Sequence, residues 1–130
     1  HVIDAAVLGS IEFWVAVLDV PLIVVLGHDS CGAVKAALAA LDNGEVPGGY
    51  LRDITERVAS SILVGRREGL RSIDEFETFH VNETVRQLAT RSTIIAEQIE
   101  AGTLAIVGAT YHLADGRVQA REHLGNIGEE

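Results

Sequence analysis

Residues Val20–Val34 read VPLIVVLGHDSCGAV. Leu22 to Leu26 is an unbroken aliphatic run bounded by Pro21 and Gly27. A run that is apolar throughout, rather than alternating, suits a strand covered on both faces, as in a parallel sheet. His28 then falls at the carboxyl end of that strand, where open α/β sheets gather their ligand sites. Cys31, the only cysteine in the chain, falls at the start of the next helix. Free N–H groups and the helix dipole favour an anion there, and a thiolate is the form of cysteine that attacks carbon or binds metal. Gly27 and Gly32 leave the backbone room to turn between the two elements.

The pattern continues outward in both directions. Upstream, Asp4 is a suitable N-cap, and Val7, Ile11, Trp14, Val15 and Leu18 recur at helical spacing as one apolar stripe. Trp14 on that stripe reads as packing. Asp19 and Pro21 stop the helix. Downstream, Val34, Leu38 and Leu41 mark a helix ended by Asp42-Asn43-Gly44, and Leu51, Ile54, Val58 and Ile62 a further one closed by Gly65. Ser72 and Glu75 form a capping box. It opens a long helical region with Ile73, Phe76, Val85, Leu88, Ile95 and Ile99 inward, a break expected near residues 90–93, and Gly102 at its end. Residues 103–110, TLAIVGAT, read as a second buried strand. Asp115-Gly116 is a tight-turn signal that pairs 109–114 with 117–121 as a hairpin. About three strands and four helices follow in α/β order, which predicts a mostly parallel sheet flanked by helices with an antiparallel edge hairpin. The first helix has no strand before it. The chain, residues 1–130, therefore reads as the C-terminal portion of a single α/β domain.

Composition narrows the function. At 130 residues, 48% hydrophobic and 22% charged, this is an ordinary globular composition with one core. The net charge of −9 argues against nucleic acid, which demands clustered Lys and Arg. Arg66-Arg67 and Arg71 are the nearest approach, and they read as solvated surface. No apolar run is long enough for a bilayer. A lone cysteine and no signal-peptide pattern make the cytoplasm the expected location. No G-x-G-x-x-G or phosphate-binding loop is present.

By spacing alone, His28 and Cys31 leave three readings open. One is a small buried Cys31 under a capped loop, another is a nucleophilic Cys31 with His28 as base, and the third is half of a zinc site, whose catalytic form needs three protein ligands plus a water. Asp29 lies too near in sequence to be assumed as the orienting acid of a nucleophilic pair. His80, His112 and His123 are scattered and read as surface or hydrogen-bonded structure, and the surroundings of Glu83 and Glu97 as a solvated helix face.

The wider context adds a resemblance. GSIEFWVAVLDVPLIVVLGHDSCGAVKAAL, residues 9–38, closely resembles the middle of the β-class carbonic anhydrases, where an aliphatic strand leads into G-H-x-x-C-G-[AG]. HVID at residues 1–4 resembles the segment just after that family's Arg-x-x-[AG]-[NH] turn. TLAIVGATYHLADGRV, residues 103–118, resembles its last hydrophobic strand and hairpin. The likeness is greatest to the actinobacterial members.

The resemblance implies a Zn2+ enzyme that interconverts carbon dioxide and bicarbonate, with zinc-bound hydroxide as the attacking group. By the same carry-over, His28 and Cys31 match two of three zinc ligands. Phe13 matches a cleft-lining aromatic that is usually Tyr, and Gly32 matches a glycine close to the substrate. It also implies a homodimer or homotetramer, in which the first helix and the edge strand meet a twin chain. The family's third ligand, and the Asp and Arg beside it, belong to a Cys-x-Asp-x-Arg motif that this sequence lacks, so the 130 residues are expected to hold no tightly bound zinc and to be inactive by themselves. Two further classes remain: a cysteine-dependent α/β hydrolase using Cys31, and a catalytically silent binding or assembly relative.

Overall fold

A computed structural model describes residues 3–128. The element order is α1 (Ala5–Ala16), β1 (Leu22–His28), α2 (Gly32–Asn43), α3 (Leu51–Arg67), α4 (Ile73–Arg91), α5 (Thr93–Glu100), β2 (Ala105–Tyr111) and β3 (Val118–Leu124). The expected α/β architecture is present, with five helices rather than four because the break foreseen near residue 92 separates α4 from α5. Ser92 produces that break. Its extended backbone ends α4, and its hydroxyl accepts from the Ile95 N–H at 3.1 Å, starting α5 in a new direction. The Ser72–Glu75 capping box forms in both directions.

The sheet has the order β1-β2-β3. β1 and β2 are parallel, Leu22 to His28 pairing with Ala105 to Tyr111 in register, and β2 and β3 are antiparallel across the hairpin. Among the described residues, β1 is therefore an edge. Four helices lie between β1 and β2 in the chain, and α4 packs on all three strands. It can approach closely because glycine stands opposite it on two adjacent strands. A Cβ on Gly27 would lie 2.6 Å from Val81 Cγ2, and one on Gly108 would lie 2.9 Å from Val81 Cγ1. One buried cluster gathers Val25, Val81, Val85, Leu88, Ile95 and Ile106 between this helix and the sheet. A second joins Val34, Val58, Ile62 and Phe76 among α2, α3 and α4.

Three expectations are corrected. β1 is covered on one face only: Val25 and Gly27 face α4, while Leu22, Val24 and Leu26 stay exposed. The α1 stripe is likewise largely uncovered, with Val15 buried but Trp14 49% exposed, so Trp14 is not core packing within these residues. Both departures have one cause. Periodicity reports which residues are apolar, but burial needs a partner surface, and none of the described elements lies over that side. An apolar groove of about 260 Å³ runs there, lined by Val7, Ile11, Trp14, Val24 and Leu26 among others. Third, α3 does not close at Gly65. It continues to Arg67 and turns at Gly69 (φ 91°), while Gly65 is buried with the Phe76 ring against it, where a Cβ would meet the ring at 3.1 Å.

Candidate metal centre

The loop from His28 to Cys31 joins the end of β1 to the start of α2, and three other elements pin it. The Asp29 N–H extends the ladder to the Tyr111 carbonyl at 3.2 Å. The Asp29 carboxylate accepts from the Leu113 N–H at 3.1 Å and lies 3.4 Å from His112 Nδ1. The Leu113 bond is the main reason its carboxyl is held below the usual range, partial burial opposing and His112 assisting. Ser30 takes the left-handed conformation (φ 52°), which is uncommon outside glycine, and its N–H donates to Asp74 Oδ1 at 3.1 Å. This backbone turn carries the chain from the strand into the helix within three residues.

His28 is exposed at the strand end, on the same open face as Leu22, Val24 and Leu26. Its Nδ1 lies 2.8 Å from the Asp29 carbonyl. A carbonyl only accepts, so Nδ1 is the donor, and in the neutral ring Nε2 then keeps its lone pair, the arrangement of a metal-ligating histidine. Cys31 is a free, half-buried thiol in the N-cap position of α2 and makes no side-chain capping bond. Donor chemistry therefore fits zinc at both positions. Donor number does not: among the described residues no group of three or more His, Cys, Asp or Glu side chains is gathered to hold a metal ion.

Gly32 opens α2, and a Cβ there would meet nothing within 4 Å. Phe13 stands on α1 and is 54% exposed, so the described residues alone form no closed wall around it. His1 lies outside the described residues. His112 bridges Asp29 and Gln119. His80 is buried, with Nδ1 2.8 Å from Ser61 Oγ, and burial pushes its pKa down to about 4. Ser61 also reaches Glu83 at 3.4 Å, so Glu83 is part of a helix–helix contact rather than only a solvated face. The hydrolase reading gains no orienting acid, because the Asp29 carboxylate is engaged with Leu113 and His112 while His28 Nδ1 faces a carbonyl.

Sequence reasoning passed over Glu77. It lies on α4 and is 3% exposed, its carboxyl seated against Gly27, directly before His28. Burial is the dominant influence on its carboxyl and raises its pKa; the polar groups of the neighbouring His28–Cys31 loop oppose the rise.

Compared with known families, residues 1–118 match the model described as carbonic anhydrase. The chain belongs to the carbonic anhydrase family. A carbonic anhydrase of Mycolicibacterium smegmatis is 72% identical over 129 residues, covering 99% of this chain and 63% of that relative. Carbonic anhydrase 2 of Mycobacterium tuberculosis is 67% identical over 130 residues, covering 100% of the chain and again 63% of the relative. The chain thus spans less than two thirds of these carbonic anhydrases. The fold is that of the β class: a tetrameric β-carbonic anhydrase of Sordaria macrospora superimposes with a TM-score of 0.75 at 23% identity, over 90% of this chain and 60% of that one.

Proposed function

We propose that the full-length protein hydrates carbon dioxide reversibly to bicarbonate and a proton at a zinc ion held by His28, Cys31 and a third donor outside these 130 residues. One observation carries the reading. In a chain of this family, the end of β1 presents an imidazole with Nε2 available, and three residues on, a free thiol stands at a helix N-terminus. Zinc supplies an acidified water, and so a nucleophile near neutral pH. The chain's own residues hold the donors in place: Asp29 and Asp74 fix the loop, and the α2 N-terminus favours a thiolate at Cys31. Phe13 and Gly32 are proposed at the substrate cleft, Phe13 as an apolar wall without the hydroxyl of the usual Tyr.

In this reading the 130 residues are the C-terminal portion of a single α/β domain, active in the cytoplasm as a homodimer or homotetramer. The uncovered apolar surface of α1 and β1 supports the need for more protein there, and the tetrameric Sordaria enzyme is a precedent for assembly.

Metal analysis and stopped-flow hydration assays of the full-length protein and of the 130-residue chain test the proposal. One zinc per full-length chain, lost with turnover in His28→Ala and Cys31→Ser, is expected, with little of either in the shorter chain. Zinc retained at full occupancy by Cys31→Ser would overturn it.

A further inference from the structure

A polar cavity of about 130 Å³ opens between α3 and α4 and shares no residue with the His28–Cys31 loop. Helix α3 supplies Arg57, Ser60 and Ser61, and α4 supplies His80, Gln87 and Arg91. Offsets of three and four in the first set, and of seven and four in the second, put each set on one face of its helix. The chain is acidic, with 19 Asp and Glu against 10 Lys and Arg, and four arginines find a carboxylate: Arg52, Arg66, Arg86 and Arg117 pair with Glu56, Asp42, Glu122 and Asp115. Arg57 and Arg91 have no ion-pair partner among the described residues, and they line the same cavity, whose lining contains no Asp or Glu. Arg91 is already held in place. Its Nη1 donates to the Ile3 carbonyl at 2.6 Å, which leaves four of the five guanidinium N–H groups for another acceptor. Ser61 and His80 are buried and meet at 2.8 Å, a fixed polar floor. Glu83 reaches that floor from outside the lining, 3.4 Å from Ser61 Oγ.

Size narrows the ligand. One water takes about 30 Å³ of the liquid, so the cavity has room for about four waters or one small ion. Sites for larger organic molecules run to roughly 300–1,000 Å³. We propose that the α3–α4 cavity binds a small inorganic oxyanion of the phosphate or sulfate kind, held between the guanidinium groups of Arg57 and Arg91, with the Gln87 amide and the Ser60 hydroxyl as further donors. Guanidinium suits such an ion because its planar fork offers parallel N–H groups to two oxygens at once. The bound ion joins the two helices through charges that otherwise face each other without a counter-ion. The inference is independent of the zinc reading above.

The test titrates the full-length protein with inorganic phosphate by calorimetry, as wild type, Arg57→Gln, Arg91→Gln and Arg67→Gln. Arg67 lies on α3 outside the cavity, so its variant removes the same charge without touching the site. Saturable one-to-one binding is expected in wild type and in Arg67→Gln. Either cavity substitution should weaken it about 10- to 100-fold, the effect of losing a charged hydrogen bond. Absence of saturable binding in wild type would overturn the inference, as would an equal loss in Arg67→Gln. Binding that survives both cavity substitutions but disappears in His28→Ala would place the ion at the metal and overturn it as well. Glycerol phosphate, titrated in parallel, should bind more weakly because its carbon chain exceeds the cavity; tighter binding would overturn the assignment to a free ion. Should a cavity variant fail to fold, a crystal structure of the phosphate-saturated wild type decides: an ion between Arg57 and Arg91 supports the site, and none there refutes it.

Discussion

Gly27→Ala is the sharpest probe of how α4 meets the His28–Cys31 loop. The added methyl would lie 1.9 Å from Glu77 Oε1 and 2.6 Å from Val81 Cγ2. Neither neighbour has space to give way, since both are buried. Either the helix backs off the sheet or the Glu77 side chain leaves its place. Overpacking a tight interior costs about 1–3 kcal/mol. Separating a buried polar group from its partners adds about 1–3 kcal/mol. Together, about 2–6 kcal/mol is a large share of a typical domain stability of roughly 5–15 kcal/mol. At about 4 °C per kcal/mol for a chain of this size, the melting temperature should fall by about 8 °C or more. Thermal unfolding followed by circular dichroism in the presence of a chelator measures this without stabilisation by any bound metal. Gly32→Ala is the matched control: its Cβ meets nothing within 4 Å at the first residue of α2, and alanine is the better helix former, so its melting temperature should hold or rise slightly. A Gly27→Ala protein melting within about 2 °C of wild type would refute the packing argument.

Three more expectations follow from single contacts. Ser72→Ala removes one half of the capping box of α4 and should cost about 1 kcal/mol in urea unfolding. His80 is neutral in the folded protein, its pKa lowered by burial from 6.5 to about 4. Its contribution is thus complete above pH 6.5 and lost as the pH falls toward 4, on the order of 3 kcal/mol; His80→Gln should flatten that part of the stability profile in urea titrations at successive pH values. Asp29 has a folded pKa below its unfolded one, so its contribution is present above about pH 4 and disappears as the pH falls through the folded value. Acid titration should show wild type and Asp29→Asn converging there, and a constant difference down to pH 2 would contradict the contact with Leu113.

What the sequence made legible was local. The Ser72–Glu75 spacing, the Asp115-Gly116 turn and the polar interruption around Ser92 are each decided within a few residues, and each appears where expected. The His28–Cys31 loop was visible because a uniform aliphatic run ends there. Burial was not legible in the same way. The stripe through Val7, Ile11 and Trp14 has helical spacing, but whether it is inside depends on surfaces far away in the chain. Glu77 was hidden for a related reason. It stands in DEFETF among other acids, where a solvated face is the natural expectation, and its depth comes from α4 lying over Gly27, fifty residues upstream. A glycine between a long aliphatic residue and a histidine was the available signal, and only the packed fold explains it.

The unpaired side of β1 has a practical consequence for anyone producing these 130 residues alone. A row of free main-chain donors and acceptors, flanked by Leu22, Val24 and Leu26 in the open, is a template onto which identical molecules can add edge to edge. Inclusion bodies and concentration-dependent light scattering are the behaviour to anticipate, and covering or charging that edge, rather than adjusting buffers, is the remedy this architecture recommends.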